Sequence, residues 1–331
     1  MLKLLERTQD NTTGLWGTVW DTADGDQKNH DMAVGGTADS AYEYIIKAFL
    51  QGDKTEPQLR DMFIKVVDGI IKNLVYISPN RRLLYVTDVS HGRPSGKLEH
   101  LSCFLPGAIA LGAKYLDEVP GFSWEMKRLW FWAAEGLGTT CWLTYADHAS
   151  GLGPDEVMFK MWPKEPNDGL WIKHVERWRQ QSGRGGSDPV PPGVKDGKPL
   201  RGSFEGKDYS FRLNSYQLRP ETVESLYVLY KTTGNPVWRD RVWEIFEAIR
   251  KHCKSEGGGY HSVRNVEKEE PNASDDMPSW FLAETLKYIY LTASPQNDLV
   301  PLDKWVFNTE AHPLPIIRWR DWEKKRYGIT A

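Results

Sequence analysis

A recurring pattern constrains the fold of this chain most: an acidic residue opens an apolar run, and glycine or asparagine stands thirteen residues after the acid. Because the positive end of the helix dipole favours an acid in the first turn, each acid predicts a helix start. Glycine and asparagine tolerate the left-handed conformation that commonly follows a helix, so they predict the ends. The four predicted helices run from Asp39 to Gly52, Glu99 to Gly112, Glu221 to Gly234 and Glu284 to Asn297.

The start of the third of these helices is the most informative. Pro220 fits the first helical position, and Glu224 follows Glu221 by three residues on the same helix face. A single pair of this kind is commonly a solvated pair matched to the helix dipole. The repetition of helices that begin with an acid favours instead a general base or a metal site.

The helix starts are nearly periodic, at intervals of 60, 122 and 63 residues. A fifth start at Asp155-Glu156, after the stop signal at residues 151–154, would divide the long interval. The repeat exceeds the roughly 34 to 47 residues of common helical solenoids and suits a helical hairpin with long connections. Hairpins of this kind stacked in a ring form an αα-toroid whose inner helices direct their acids into one cavity. The predicted fold class is therefore all-α.

Composition narrows the classes of partner. The net charge of −3 gives no basic face for nucleic acid, and no apolar run approaches the roughly 20 residues that span a membrane. With 331 residues, of which 40% are hydrophobic, the chain can bury a large core, and we expect a monomer. The 15 Trp and 14 Tyr can fill this core or stack on sugar rings.

The remaining segments complete the predicted architecture. Residues 123–145 and 235–254 indicate outer partner helices, and residues 14–21 a turn and a strand. The Pro- and Gly-punctuated residues 163–210 indicate a surface insertion around one short helix. Residues 305–315 are extended, end in prolines and carry one hydroxyl, one carboxylate and one imidazole.

Five long motifs follow one another along the chain: Ala38-Asp39-Ser40 with Tyr42-Glu43-Tyr44, His100-Leu101 with Cys103-Phe104-Leu105-Pro106-Gly107, Leu218 to Leu226, Leu282 to Tyr288, and Phe307 to Pro315. Together they resemble glycoside hydrolase family 47, the class I α-1,2-mannosidases that trim asparagine-linked high-mannose glycans. The resemblance covers essentially the whole chain. It implies an (αα)7 barrel that is plugged by a C-terminal β-hairpin.

The resemblance also implies a Ca²⁺-dependent exo-α-1,2-mannosidase that inverts the anomeric centre. Glu221 matches the proposed general base, which acts on a water held between two carboxyl groups roughly 6.5 to 9.5 Å apart. Thr309 matches the residue that binds Ca²⁺ directly through its backbone carbonyl and hydroxyl oxygens, which are hard donors. The acids that match holders of the metal's waters are Glu224, Glu284 and Glu310. The positions that match the substrate site are Asp39, His100, Arg219, Trp280, Glu284 and Glu310.

The chain departs from the family pattern at the proposed general acid. The Phe-Glu-Thr helix that carries this acid is not found in the chain, and two of seven hairpins are absent by the same count. We therefore expect an N-terminally truncated chain, in which residues 1–331 form a single catalytic-type domain that lacks about two helical hairpins. Asp39 has been considered as an alternative acid in the family. We expect loss of activity unless Asp39 takes this role.

Cysteines and sequons bear on the compartment. Cys103 and Cys141 match the positions at which the family forms a disulfide, which leaves Cys253 over. Sequons at Asn11 and Asn272 favour the lumen of the endoplasmic reticulum or Golgi, or secretion. A membrane anchor would have to come from an N-terminus outside this sequence. Reduced thiols in the cytosol remain the alternative.

Two rival functions stay open at this point. One is a non-hydrolytic factor that binds mannose glycans in quality control, like the degradation-enhancing members of the family. The other is a calcium-free inverting glycosidase on a similar toroid. Release of mannose with and without a chelator separates the first rival from the enzyme, and the stoichiometry of bound Ca²⁺ separates the second.

Overall fold

A computed structural model describes residues 2–116, 119–182, 189–195, 197–203, 205–294 and 298–329, and within them the protein is mainly helical. The α-helices are α1 (Leu2–Thr8), α2 (Asp39–Gln51), α3 (Pro57–Asn73), α4 (Leu105–Tyr115), α5 (Trp124–Ala146), α6 (Trp171–Ser182), α7 (Glu221–Thr233), α8 (Pro236–His252), α9 (Leu286–Ala293) and α10 (Asp321–Tyr327). The strands are β1 (Val75–Ile77), β2 (Leu84–Val86), β3 (Val89–Ser90), β4 (Arg93–Pro94), β5 (Lys97–Glu99), β6 (Glu156–Phe159), β7 (Tyr209–Leu213), β8 (Ser262–Val263), β9 (Ala273–Ser274), β10 (Trp305–Phe307) and β11 (Pro313–Pro315).

Helices adjacent in sequence pack in pairs, as the predicted hairpins require. α2 packs on α3, α4 on α5, and α7 on α8. α4 and α9 also contact α7, which places α7 in the middle of the helical core. The apolar stripe of α3 is buried as the sequence indicates, with Val66, Val67 and Ile70 excluded from solvent. No helix in the described part of the chain is long and apolar enough to cross a membrane.

Two of the predicted helix starts are confirmed. α2 begins at Asp39, and α7 begins at Glu221 and ends before Gly234, whose φ of +71° is left-handed. Pro220 precedes α7 rather than occupying its first position. The predicted end of α2 at Gly52 is also confirmed, although Gly52 has an ordinary φ of −76° and does not adopt the left-handed conformation.

The starts predicted at Glu99 and at Asp155-Glu156 are wrong. Both segments belong to a three-stranded antiparallel sheet in which β6 lies between β5 and β7. After Glu99 the chain forms the 3₁₀ helix His100–Phe104, and α4 begins only at Leu105 and continues past Gly112. In β6 the side chains alternate between buried and half-buried, a period of two that overrides the acids as helix starters.

The fourth helix starts before the predicted acid. The π-helical turn Phe281–Thr285 leads into α9, so Glu284 lies inside the helix rather than at its start. Asn297, its predicted end, lies outside the described residues. A π-helical turn is often found at a functional site because it shifts the side-chain register locally.

The predicted insertion is only partly at the surface. Its short helix is α6, but Trp171 and Val175 on this helix are fully buried, and the indole nitrogen of Trp171 donates to the carbonyl of Pro192. The Gly- and Ser-rich run at 183–187 lies outside the described residues. At the other end of the chain, the strand predicted over 14–21 is reduced to one bridge between Trp20 and Gln27.

The extended C-terminal segment forms an antiparallel hairpin of β10 and β11. The hairpin packs against α2, and the ring of Phe307 contacts the rings of Tyr227 on α7 and Tyr288 on α9. The side chain of Asn308 accepts hydrogen bonds from the backbone of Glu310 and His312, which closes the connecting turn. Residues more than 250 positions apart in sequence thus meet in one core.

Candidate active site

A cavity of about 170 Å³ opens at the starts of α2 and α7. α2, the 3₁₀ helix before α4, α7, the π-helical turn and the turn of the C-terminal hairpin all contribute to its wall. The lining residues are Asp39, Glu43, Leu101, Phe104, Arg219, Pro220, Glu221, Glu224, Trp280, Glu284, Thr309 and Glu310.

The cavity is strongly acidic. Six of its lining residues carry a carboxyl group, and one, Arg219, carries a positive charge. Glu43, Glu224 and Glu284 are buried, so their carboxyl groups are poorly screened by water. An assembly of this kind suits proton transfer, a bound cation, or both.

Glu221 at the start of α7 is held by His100. Nδ1 of His100 lies 2.7 Å from Oε2 of Glu221, and Nε2 of His100 lies 2.5 Å from the hydroxyl of Tyr145. Because an ionised carboxylate can only accept, Nδ1 is the donor when Glu221 is charged. Oε1 of Glu221 has no hydrogen-bonding side chain among the described residues.

The surroundings of Glu221 favour its ionised form. Burial alone would raise its pKa, but the hydrogen bond from His100 and the positive charges of His100 and Arg219 outweigh burial and lower the pKa below 4.5. A carboxylate that stays ionised at neutral pH can accept a proton from water. Glu221 is therefore suited to act as a general base.

Arg219 forms one wall beside the base. Its Nε donates to Oδ1 of Asp155 at 2.6 Å, and its guanidinium lies 5.4 Å from the ring centroid of Trp280. The indole nitrogen of Trp280 donates to the carbonyl of Gln217 at 3.0 Å. Leu218, directly before Arg219, is buried with φ of +57°, an uncommon conformation for leucine. The surrounding contacts thus fix a cation and an aromatic face at the cavity wall.

Asp39 differs from Glu221 in its proton affinity. Burial raises the pKa of Asp39, against hydrogen bonds from the backbone and the hydroxyl of Ser40, and the negative charges of Glu43 and Glu221 raise it further. A carboxyl that holds its proton more tightly is suited to donate it. Of these two carboxyl groups, Glu221 is thus the better proton acceptor and Asp39 the better proton donor.

A buried ion-paired cluster lies under the cavity. Nζ of Lys47 donates to Glu43 and, at 3.1 Å, to Oε1 of Glu224, which also accepts from the hydroxyl of Tyr288 at 3.4 Å. Burial would lower the pKa of Lys47, but the charges of Glu224 and Glu43 raise it above its usual value. Lys47 therefore carries a charge.

The acids on the far side of the cavity repel one another. Burial, followed by the negative charges of Glu224 and Glu310, raises the pKa of Glu284 to about 8. Burial likewise raises the pKa of Glu224 to about 7, despite the charge of Lys47. The raised pKa values show that the cluster disfavours full ionisation of its acids, and a bound cation would stabilise the ionised carboxylates.

The turn of the C-terminal hairpin brings Thr309 to this cluster. Its position is fixed from two sides: Nζ of Lys287 donates to the carbonyl of Ala311 at 2.7 Å, and the hydroxyl of Tyr44 lies 3.4 Å from the backbone nitrogen of Thr309. Ala311 is buried and has φ of +54°, as a tight turn requires. The hydroxyl of Thr309 and the nearby carboxylates give a donor set of oxygens only, which suits a hard cation.

The described residues contain no group of three His, Cys, Asp or Glu side chains close enough to ligate one ion. The oxygens of Thr309, Glu224, Glu284 and Glu310 fit a cation that keeps most of its waters, because the carboxylates could accept hydrogen bonds from those waters.

The structure brings together every candidate that the sequence predicted for catalysis, substrate or metal. Eight line the cavity, namely Asp39, Arg219, Glu221, Glu224, Trp280, Glu284, Thr309 and Glu310, and the ninth, His100, binds Glu221 from behind. The predicted disulfide between Cys103 and Cys141 is confirmed, and Cys253 is free and buried. Sequence reasoning assigned no role to Lys47, Tyr145 or Tyr288, and it placed Asp155 in a helix.

Paired carboxyl groups beside an aromatic ring define the kind of site that glycoside hydrolases use. Residues 1–316 match the sequence model of glycosyl hydrolase family 47, and the chain belongs to this family.

Relatives at about one-third identity carry related names. The chain is 35% identical over 286 residues to the endoplasmic reticulum mannosyl-oligosaccharide 1,2-alpha-mannosidase of Mus musculus, a match that covers 86% of this chain and 36% of that protein. It is 35% identical over 329 residues to mannosyl-oligosaccharide 1,2-alpha-mannosidase MNS3 of Arabidopsis thaliana, covering 94% and 48% respectively. The chain thus spans less than half the length of these relatives.

The fold of the chain is similar to that of a solved mannosidase structure. The alpha-1,2-mannosidase from Trichoderma reesei superposes with a TM-score of 0.73 at 29% identity, over 92% of this chain and 57% of that one. The helical architecture described above is therefore that of a family 47 mannosidase.

Proposed function

We propose that this chain is a Ca²⁺-dependent, inverting exo-α-1,2-mannosidase that removes terminal mannose from high-mannose N-glycans in the secretory pathway. One observation carries the proposal: eight of the nine residues that match the family's catalytic, substrate and metal positions line one acidic cavity, although they lie up to 271 positions apart in sequence, from Asp39 to Glu310. The names of the relatives supply the substrate class. The endoplasmic reticulum in the name of the mouse relative, with the disulfide, supports a secretory compartment.

In the proposed reaction, Glu221 is the general base. His100 holds one of its oxygens, which leaves the other free to take a proton from the attacking water. Asp39 is our candidate for the acid that protonates the leaving oxygen, because its environment favours the protonated form. Arg219 and Trp280 would orient the terminal sugar, through hydrogen bonds and through contact with the ring face.

Ca²⁺ is the proposed cofactor. Thr309 would bind it directly, while Glu224, Glu284 and Glu310 would accept hydrogen bonds from its waters. When bound, the ion would orient sugar hydroxyls and the attacking water. The chain's own contribution is to present these oxygens on three different elements, namely α7, the π-helical turn and the hairpin turn.

The finer architecture is part of the same proposal. We propose that α2, α4, α7 and α9 are inner helices of an αα-toroid and that the β10–β11 hairpin closes one mouth. Support comes from the cavity wall, to which the start of each inner helix or the turn before it contributes.

The test is the anomeric form of the released sugar. A glycan ending in α-1,2-linked mannose is incubated with the chain in Ca²⁺ or in chelator, and proton NMR follows the first product. We expect β-mannose, released with Ca²⁺ only and lost by at least about 10³-fold in Glu221→Gln. The matched control, Glu247→Gln on the exposed face of α8, should keep full activity.

Three other outcomes would contradict parts of the proposal. Release of α-mannose would exclude inversion. Release that is unchanged in chelator would favour a calcium-free glycosidase. Glycan binding without release would favour the non-hydrolytic mannose-binding factor.

A further inference from the structure

Lys47 holds two acids of the site from behind. It is buried on α2, and its ammonium donates to Glu43 one turn earlier and to Glu224 on α7, which lies 177 positions away in sequence. The described residues contain no other lysine or arginine that forms an ion pair with either of these acids. Arg219, the basic residue of the cavity wall, is paired with Asp155 instead.

The position of Lys47 relative to the cavity is distinctive. A second, mainly apolar space of only about 20 Å³ adjoins the first and shares Glu43, Phe104 and Glu224 with it. Glu43 and Glu224 line both spaces, whereas Lys47 lines only the second one. Lys47 thus holds the two carboxylates without being part of the wall of the acidic cavity.

The contacts of Glu224 show what Lys47 does to the carboxylate. Oε1 accepts from Lys47 and from the hydroxyl of Tyr288, and Oε2 has no hydrogen-bond partner among the described residues. Lys47 thereby fixes the orientation of Glu224. It also supplies a permanent positive charge where two buried carboxylates would otherwise repel each other.

We propose that Lys47 is a positioning residue that keeps the acid cluster assembled when no divalent cation is bound. It holds Glu43 and Glu224 in the orientation that a hydrated cation requires. The cation would then bind beside carboxylates whose orientation Lys47 has already fixed. Only the expected effect of Ca²⁺ in this inference rests on the proposed function.

The test measures Tm in chelator and in excess Ca²⁺ for the chain and its variants. Lys47→Met leaves both acids without their partner, so we expect Tm in chelator to fall by about 5 to 10 °C. Ca²⁺ should restore a large part of this loss, because it supplies the missing charge. Lys47→Arg, which keeps the charge, should recover at least half of the loss.

Two further variants separate charge from packing. The double variant Lys47→Met with Glu43→Gln removes one charge of each sign and should have a higher Tm in chelator than Lys47→Met alone. If Lys47→Met alone fails to fold, the double variant should still fold. Tyr288→Phe removes the other partner of Glu224 without a change of charge, and its effect on Tm should be the same with and without Ca²⁺.

The inference is overturned if the Tm of Lys47→Met in chelator lies within about 2 °C of that of the parent chain. It is also overturned if Lys47→Met and the double variant show the same loss of Tm, both in chelator and in excess Ca²⁺. If the Tm of the parent chain does not respond to Ca²⁺, the calcium part of the proposed function fails. The comparison of the variants in chelator still decides the role of Lys47 in that case.

Discussion

The hydrogen bond between His100 and Glu221 determines the protonation of the candidate base. Without the bond and the charge of His100, burial would dominate, so we expect the pKa of Glu221 to rise from below 4.5 to above it in His100→Leu. The measurement is a carbon NMR titration of the glutamate carboxyl groups, with Glu221→Gln used to assign the signal. This titration does not depend on enzymatic activity of the chain.

Tyr145→Phe is the matched control for this titration. It removes the partner on the other side of the imidazole and leaves the bond between His100 and Glu221 in place. The pKa of Glu221 should then stay below 4.5. An unchanged pKa in His100→Leu would show that His100 does not control the base.

Among single residues, the sequence motifs predicted most of the residues that line the acidic cavity, because these positions match a family pattern. Lys47 and Asp155 could not be assigned in this way. Lys47 stands within an apolar run, and its partner Glu224 is brought to it only by the packing of α7. The sequence predicts a helix start at Asp155, and only the pairing of β6 with β5 and β7 places this residue beside Arg219.

The disulfide between Cys103 and Cys141 joins the 3₁₀ helix that carries His100 to α5, which carries Tyr145. Its loop of 38 residues predicts that replacing both cysteines by serine costs about 4 kcal/mol of unfolding free energy. Urea unfolding of the oxidised chain and of this double variant measures the difference. Cys253→Ser, at the buried free cysteine, should cost less.

Gly69 on α3 is a point of close approach between elements. A Cβ at this position would lie 2.0 Å from the backbone carbonyl oxygen of Thr13. We expect Gly69→Ala to lower the unfolding free energy by about 1 to 3 kcal/mol, more than the gain in helix propensity returns. Gly257→Ala, which meets nothing within 4 Å, should change it by less than about 0.5 kcal/mol in the same urea experiment.

Equal effects of the two substitutions would show that the N-terminal segment adapts freely to α3.

Among the elements themselves, helices with a strong apolar period were predictable from the sequence. The short strands β5 and β6 were not, since their acids also fit a helix start and the strands are stable only when paired.

For the molecule as a whole, the acid cluster predicts an unusual dependence of stability on pH. Glu224 and Glu284 bind protons more tightly in the folded state, where their pKa values are about 7 and about 8, than in an unfolded chain near 4.5. Stability in chelator should therefore fall as pH rises from 7 to 8.5, by about 1.5 to 2 kcal/mol. Burial lowers the pKa of His148 to about 3, which destabilises the fold only below about pH 6.5 and leaves this window unaffected.

Ca²⁺ favours the ionised carboxylates and should flatten this dependence. Urea unfolding at pH 7 and 8.5, in chelator and in Ca²⁺, measures both effects. Glu284→Gln should reduce the fall in chelator. Stability that rises with pH in chelator would show that the acids are already neutralised by the protein.

The hairpin turn that carries Thr309 and Glu310 has a consequence for biosynthesis. A ribosome makes the chain from its N-terminus, so α2 and α7 leave the exit tunnel well before this turn exists. Until it docks, the carboxyl groups of the half-made molecule lack their last wall and their candidate cation ligand. Competence to bind the proposed cation would thus be acquired only after this hairpin has been made and has docked, so that cation binding would report on hairpin docking.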